Sequence, residues 1–574
     1  MKRFKAAVAV GLFLFCLTGM ASAQSPSFPM THWIYDFLER MEVKGILTDV
    51  FNGTRPMSRG EIAGYLEEIL SNPSKYEGLN SVEKQQLAFL TLEFREYLPH
   101  NLTVPIQKEA PRLMKIRRWG VLGKIFTNIL YTNGRNLFSY SEDNFSAVLD
   151  PVLYQRGFVA KTDTGEYRDF RESHGIAAWG RWGNHLSFYF DFRDSKVWGS
   201  TPYPLNLSMS LPGTGYAEGF GSYAYFDETQ AGMVVGGRHW QLILGKERNA
   251  WGPGHWGNLA LSANPTSYDQ IKLQLRFQKF KFTSIAGILR PYPDLVEYSY
   301  FTGHFQRNIW AHKYMAAHRL EMAPFRFLKV GLQEVLIYGE RNPELAYLNP
   351  INFYWSAEHN LGDQDNSTIG ATVELLPGFS SKFYGELFLD DLKTSRLGTG
   401  WYGNKWAVLA GFFRADMLGI PNLDFRAEFA KIRPYVYTHR YPINVYEHFV
   451  TPLGYWAGPN SQTTHAALTW RPSRWMLTGL EFQHWKHGAN PDDKNVGGDI
   501  NLPHRAIDAT EVHFFEGNVE KRTRAKFFVS YEWLRNFVTR FEIRWANEKN
   551  VRLNSGARGN LKSIGGYFSA GFNF

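Results

Sequence analysis

The chain has 574 residues, a formal charge of +9, a single cysteine (Cys16), 52 glycines and 16% aromatic residues. One cysteine excludes a disulfide framework, and so mild a positive excess on so long a chain gives no argument for nucleic acid. Beyond the N-terminus no apolar run approaches the roughly 20 residues that a membrane helix needs.

The first residues, MKRFKAAVAVGLFLFCLTGMASAQ, have the anatomy of a secretory signal. Lys2, Arg3 and Lys5 form a basic head, residues 6–17 an apolar segment, and Ala21-Ser22-Ala23 an A-x-A cleavage site. A lipoprotein signal around Cys16 is the competing reading. However, Cys16 lies within the apolar segment and follows Phe13-Leu14-Phe15 instead of small residues. Cleavage after Ala23 removes the only cysteine and three basic residues, which lowers the charge from +9 to +6. That remainder suits an acidic partner, such as an anionic polysaccharide or lipid phosphates.

Residues 24–115 read as a small helical domain, expected on the periplasmic side. Ile34, Phe37, Leu38 and Met41 fall at i, i+3, i+4, i+7, and Gly45 marks a stop. Ser58 and Glu61 form a capping box before the stripe Ile62, Tyr65, Leu66, Ile69. A third helix opens at Asn80, with Glu83 three residues on, and carries Leu87, Leu90, Phe94 and Leu98. These stripes serve core packing.

Across 116–574 the period changes to two. Leu186, Phe188, Phe190 and Phe192 alternate with Ser187, Tyr189, Asp191 and Arg193, with His185 leading the polar set. Ile271, Leu273, Leu275 and Phe277 alternate with Lys272, Gln274, Arg276 and Gln278. Phe527, Val529, Tyr531 and then Phe541, Ile543, Trp545 repeat the pattern. Such alternation specifies strands with one apolar and one polar face. In a soluble sandwich the apolar faces meet; in a membrane barrel they face lipid. Charged polar faces on strand after strand, Trp and Tyr at strand ends, and the export signal favour the barrel. So does the terminus GYFSAGFNF, where Phe568, Ala570, Phe572 and Phe574 alternate. It resembles the C-terminal signal that barrel-assembly machinery reads. The region suits about 18 antiparallel strands, so the fold class is an all-β transmembrane barrel with a small α-helical domain.

GPGHWG at 252–257 satisfies G-x-G-x-x-G. A dinucleotide turn needs a following helix whose N-terminus meets the pyrophosphate. Here NLALSANP follows and leads into the strand at 271–278, so the stretch reads as a turn or an inward-folded loop and no cofactor is expected.

WGPGHWGNLALSAN resembles a signature of the Wzi-type capsule assembly proteins. Further segments agree in order: Tyr347-Leu348-Asn349-Pro350, GDQDN at 362–366, ELFLDDL at 386–392 and EFAKIRPYVY at 428–437. Pro452-Leu453-Gly454 and Gly458-Pro459-Asn460-Ser461 follow, so the resemblance covers residues 235–490. It implies a barrel of about eighteen strands with a periplasmic helical bundle, acting at the surface of a Gram-negative-type cell to attach capsular or related exopolysaccharide. It further implies a lectin-like role and no enzyme. Residues 32–68 also resemble one S-layer-homology module. Such modules bind cell-wall polymers but usually occur in several copies, so a structural role is expected of this one.

Sugar binding needs an aromatic face for the ring, planar polar groups for its hydroxyls, and cations if the polymer is acidic. Lys246, Arg248, Trp251, His255 and Trp256 supply these types together, as do Arg433, Tyr435, Tyr437, His439 and Arg440. The alternative, that these are girdle or plug residues, stands beside that reading. His304, His312 and His318 lack metal-ligand spacing, and Asp363, Asp365 and Asn366 lack the EF-hand pattern, so no metal site is expected. Ser262 follows His255 by seven residues without a G-x-S-x-G elbow. The expectation is an outer-membrane protein that holds surface polysaccharide, with a diffusion porin and an outer-membrane hydrolase as alternatives.

Overall fold

The computed structural model describes residues 25–99, 102, 135–163, 165–183, 186–200, 213–220, 223–553 and 555–572. The expected signal peptide, His185, Phe574 and the start of the expected barrel segment lie outside the described residues.

Eighteen antiparallel strands close into a barrel. The first, Phe145–Thr162, pairs with the last, Arg558–Phe572, so no edge is left open. The alternation read from the sequence sorts side chains between wall and lumen. Ile271 is 52% exposed on the outer wall, whereas its neighbours Gln270 and Lys272 are buried within. Trp470, Trp533 and Trp545 are exposed on the outer wall as well. No helix among the described residues is long and apolar enough to cross a membrane. The crossing elements are strands.

Loop lengths differ at the two ends. Residues 326–327, 379–380, 474–475 and 535–536 make short turns at one end. At the other, residues 248–267, 340–365, 433–460 and 490–517 make long excursions. The excursion at 340–365 folds back over the outer wall. Its short helix Tyr354–Asn360 sets Tyr354 against His318 at 4.4 Å and covers the His318–Glu334 pair.

The N-terminal helices are α1 (Ile34–Val43), α2 (Arg59–Leu70), α3 (Pro73–Glu77) and α4 (Ser81–Glu93). The expected stripes form their core: Ile34, Leu38, Met41, Ile62, Leu66, Ile69, Leu87 and Leu90 are each fully buried. Asn80 and Glu83 make a complete capping box, whereas at α2 the Ser58 side chain accepts from the Glu61 N–H without the reciprocal bond. α3 is an addition to the expected helices. It forms because Asn72 caps a helix that Pro73 opens.

This bundle sits at the short-turn end and reaches into the barrel. Arg40 of α1 meets Asp416 at 2.9 Å and also Asp424. Glu93 of α4 meets Arg535 at 2.8 Å, and Lys279 meets Asp49 at 2.9 Å. Residues 54–55 pair, antiparallel, with Trp251 and Ala250. The helical part therefore closes one end of the barrel.

Candidate functional site

Lumen-facing charges hold the bundle. Glu39 of α1 lies 2.6 Å from Arg426 and 2.5 Å from Lys382, on two different wall strands. Lys382 also meets Glu374 at 3.0 Å, Lys329 meets Glu42 at 2.8 Å, and Lys281 meets Glu61 at 3.0 Å. All of these groups are buried. A buried charge is costly unless paired, so wall lysines and bundle glutamates require one another.

The loop containing GPGHWG crosses the lumen above the bundle. Its main-chain N–H groups donate to two wall carboxylates. Glu428 accepts from His255 at 2.8 Å and Trp256 at 3.4 Å; Glu386 accepts from Leu259 at 2.8 Å and Ala260 at 3.0 Å. Within the loop the Asn258 side chain accepts from the Gly254 N–H at 2.8 Å. A Cβ on Gly254 would lie 1.9 Å from the Gly257 carbonyl, and Gly257 itself has φ +145°. The glycines are needed for this tight, inward-folded path. The N–H groups of Gly252, Gly254, His255 and Trp256 are thus taken by acceptors of the protein itself.

RPYVYTHR lies over that loop. The Tyr437 hydroxyl donates to the Leu259 carbonyl at 2.7 Å and accepts from the Tyr455 N–H at 3.1 Å. The Tyr446 hydroxyl donates to the Ala260 carbonyl at 2.7 Å. Tyr435 and Tyr437 have φ +64° and +73°, backbone strain that dense packing sustains. The lumen is thus closed from both ends.

The residues picked from the sequence do not form one surface. Trp251, Tyr435 and Tyr437 are fully buried and pack the plug. Arg248 is tied to Glu228 at 2.7 Å and to the Gly213 carbonyl at 2.8 Å. Lys246 lies on the outer wall, beside Asp269 in register. Arg433 is buried with its guanidinium over Trp406 and Phe514. Trp256 stacks on His465 at 4.8 Å. His255 and Asp36 of α1 both lie in the field of Arg426 and Glu39. Burial, then the Arg426 charge, holds the His255 pKa well below its ordinary value. His439 is half-buried at the long-loop mouth; burial and then Lys405 lower its pKa to about 4.

The long-loop mouth carries a second aromatic group that the sequence did not single out. Tyr402 stacks on His504 at 3.4 Å with planes 4° apart, above Tyr435. Tyr441 and Arg440 are exposed beside His439. Among other candidates, Asp365 is taken by Arg341 at 2.5 Å and Tyr347 at 2.7 Å. Ser262 is buried, its N–H donating to Leu453. Glu358, His359 and Asp363 bring ligand-type atoms within 4.8 Å of one another.

Residues 168–558, more than half of the chain, match the model of the capsule assembly protein Wzi family. The chain belongs to the Wzi capsule assembly family. Among solved structures it is similar to Wzi of Escherichia coli, an outer-membrane protein involved in group 1 capsule assembly and described as a carbohydrate-binding β-barrel. That likeness has a TM-score of 0.56 at 14% identity and covers 96% of this chain and 100% of that one. OccAB2 of Acinetobacter baumannii is also similar, at TM-score 0.39 and 10% identity over 74% of this chain and 98% of that one. OprD from Pseudomonas aeruginosa has the same TM-score and identity, over 74% of this chain and 93% of that one. None of the curated protein sequences matches the chain.

Proposed function

We propose that this Wzi-family barrel holds exopolysaccharide at the cell surface by binding it at the outer mouth, without catalysis. The observation that carries this reading is the closed lumen: the bundle fills one end and the GPGHWG and RPYVYTHR loops cross the other. Such a barrel is a platform, and its exposed long-loop end is what it offers. Short turns of bacterial barrels face the periplasm, so the helical bundle is periplasmic and the long loops face outward. The stacked pair Tyr402 and His504 with Tyr441 gives flat faces for sugar rings. His439 and Arg440 give donors, and Arg440 also a fixed positive charge for an acidic polymer.

Planar-bilayer recording separates this from a diffusion pore. The purified protein gives no steady conductance if the lumen is closed as described; stable open steps from the native chain would make it a pore.

A further inference from the structure

The outer wall opposite the strap at 340–365 carries an ordered gradient of polarity. At the long-loop end, Lys431, Gln462, Lys486, Lys521 and Lys549 stand in one cross-strand row, each paired in register with the next. Two residues further down each strand the row reads Phe429, Thr464, His484, Thr523, Asn547. Below that the wall is apolar.

Adjacent strands lie about 4.8 Å apart, so Lys486, Lys521 and Lys549 bring three ammonium groups together on neighbouring strands. Among the described residues none of the four lysines is ion-paired with a carboxylate, because the acids Glu481, Glu520 and Glu548 alternate to the lumen side. Two of them are held in position by aromatic rings of the 490–517 loop. Lys431 Nζ is 3.9 Å from the Phe514 ring and Lys486 Nζ 3.8 Å from Phe515. Like charges gathered without counter-charge call for an external anion.

Directly below, the wall is hollowed. Ala466 and Ala525 floor a groove of about 450 Å³ walled by Leu468, Phe482, Phe527 and Trp545. From Lys521 to Phe527 is six residues, about 20 Å of strand. With a strand tilt near 40° that is about 15 Å along the membrane normal, or half the hydrocarbon thickness. A molecule spanning both features has an anionic head and an acyl tail.

We infer that this wall binds a phosphorylated, acylated lipid of the outer leaflet. The lysine row takes the phosphate groups and the alanine-floored groove takes an acyl chain. The inference rests on the outer-membrane placement, which insertion of the native chain into lipid vesicles tests separately.

The probe is diphosphoryl lipid A, offered to the full chain in detergent and read as retained lipid by native mass spectrometry. Folding of each variant is checked by heat-modifiable mobility, since all substitutions lie on the outward face. The triple variant Lys486→Gln, Lys521→Gln, Lys549→Gln is expected to lose about a hundredfold in affinity. Dephosphorylated lipid A is expected to bind the native chain and the triple variant equally weakly. The pair Ala466→Trp and Ala525→Trp fills the groove and is expected to cost about tenfold with every lysine present. Unchanged binding by the triple variant overturns the inference. So does a result in which soluble acidic oligosaccharide displaces the lipid while the groove-filling pair binds normally, because the row would then serve the polymer.

Discussion

The carboxylate of Glu428 accepts the main-chain N–H of His255 at 2.8 Å, joining two points 173 residues apart in the chain. With Glu386 at the other side of the same loop, it fixes the segment that crosses the lumen. A buried N–H left without its acceptor costs about 1–3 kcal/mol. Glu428→Ala is therefore expected to lower hydrogen-exchange protection of the amides at 255–256 by about ten- to a hundredfold. The double variant with Glu386→Ala is expected to produce intermittent conductance in bilayers. Unchanged protection in both would show that the loop is held by packing alone.

Removing Arg426 leaves Glu39 buried beside Lys382 only. Breaking a buried pair costs about 3–5 kcal/mol. Arg426→Ala is expected to loosen the helical bundle without unfolding the barrel, read as faster amide exchange in α1 and easier proteolysis of residues 24–99. Arg426→Lys is expected to restore part of it. Equal exchange in α1 for native and Arg426→Ala proteins would contradict the docking role.

The bundle is also expected to respond to acid. His32 Nδ1 accepts the Ile34 N–H at 3.1 Å, which only an unprotonated nitrogen can do. Burial, opposed by Glu93 and supported by nearby arginines, lowers its pKa to about 3. The unfolded segment binds that proton below about pH 6.5 and the folded one does not. Stability from this group is therefore full above pH 6.5 and falls with decreasing pH until about 3. Between pH 7.5 and 5 the loss is about 2 kcal/mol. Exchange rates in α1 and α2 measured against pH check it, and His32→Asn is expected to flatten the profile.

Removal of the Tyr437 hydroxyl leaves the Leu259 carbonyl and the Tyr455 N–H without their partner. Tyr437→Phe is expected to cost about 1–3 kcal/mol locally, seen as increased exchange at 453–456. No change there would mean that the tyrosine contributes only its ring.

The barrel was legible because wall and lumen impose a period of two on every strand, and the helices because their stripes and the Asn80–Glu83 box are local. The plug was legible only in part. GPGHWG could be read as an inward-folded loop from its glycines and the absence of a following helix. Its anchors could not, since Glu386 and Glu428 meet it only after the barrel closes. Both stand at inward positions, in ELFLDD and EFAKI, but Lys382 and Arg426 face inward on the same two strands, so a charged inward residue did not by itself mark a loop anchor. Trp251, Tyr435 and Tyr437 looked like sugar platforms by residue type, but burial places them beneath the mouth. Tyr402 and His504 are 102 positions apart and become a pair only through two long loops. The lysine row needs strand register, which no single segment contains.

The most direct test of surface attachment is the partition of polysaccharide between cells and medium in a strain lacking this protein. The native gene and a variant carrying Tyr402→Ala, Arg440→Ala and Tyr441→Ala are each restored to it. The polymer is expected to be made at the normal level but shed without the protein, retained with the native chain, and shed again with the variant despite normal barrel assembly. An unchanged cell-bound fraction in the deletion strain would contradict attachment as the function of this barrel.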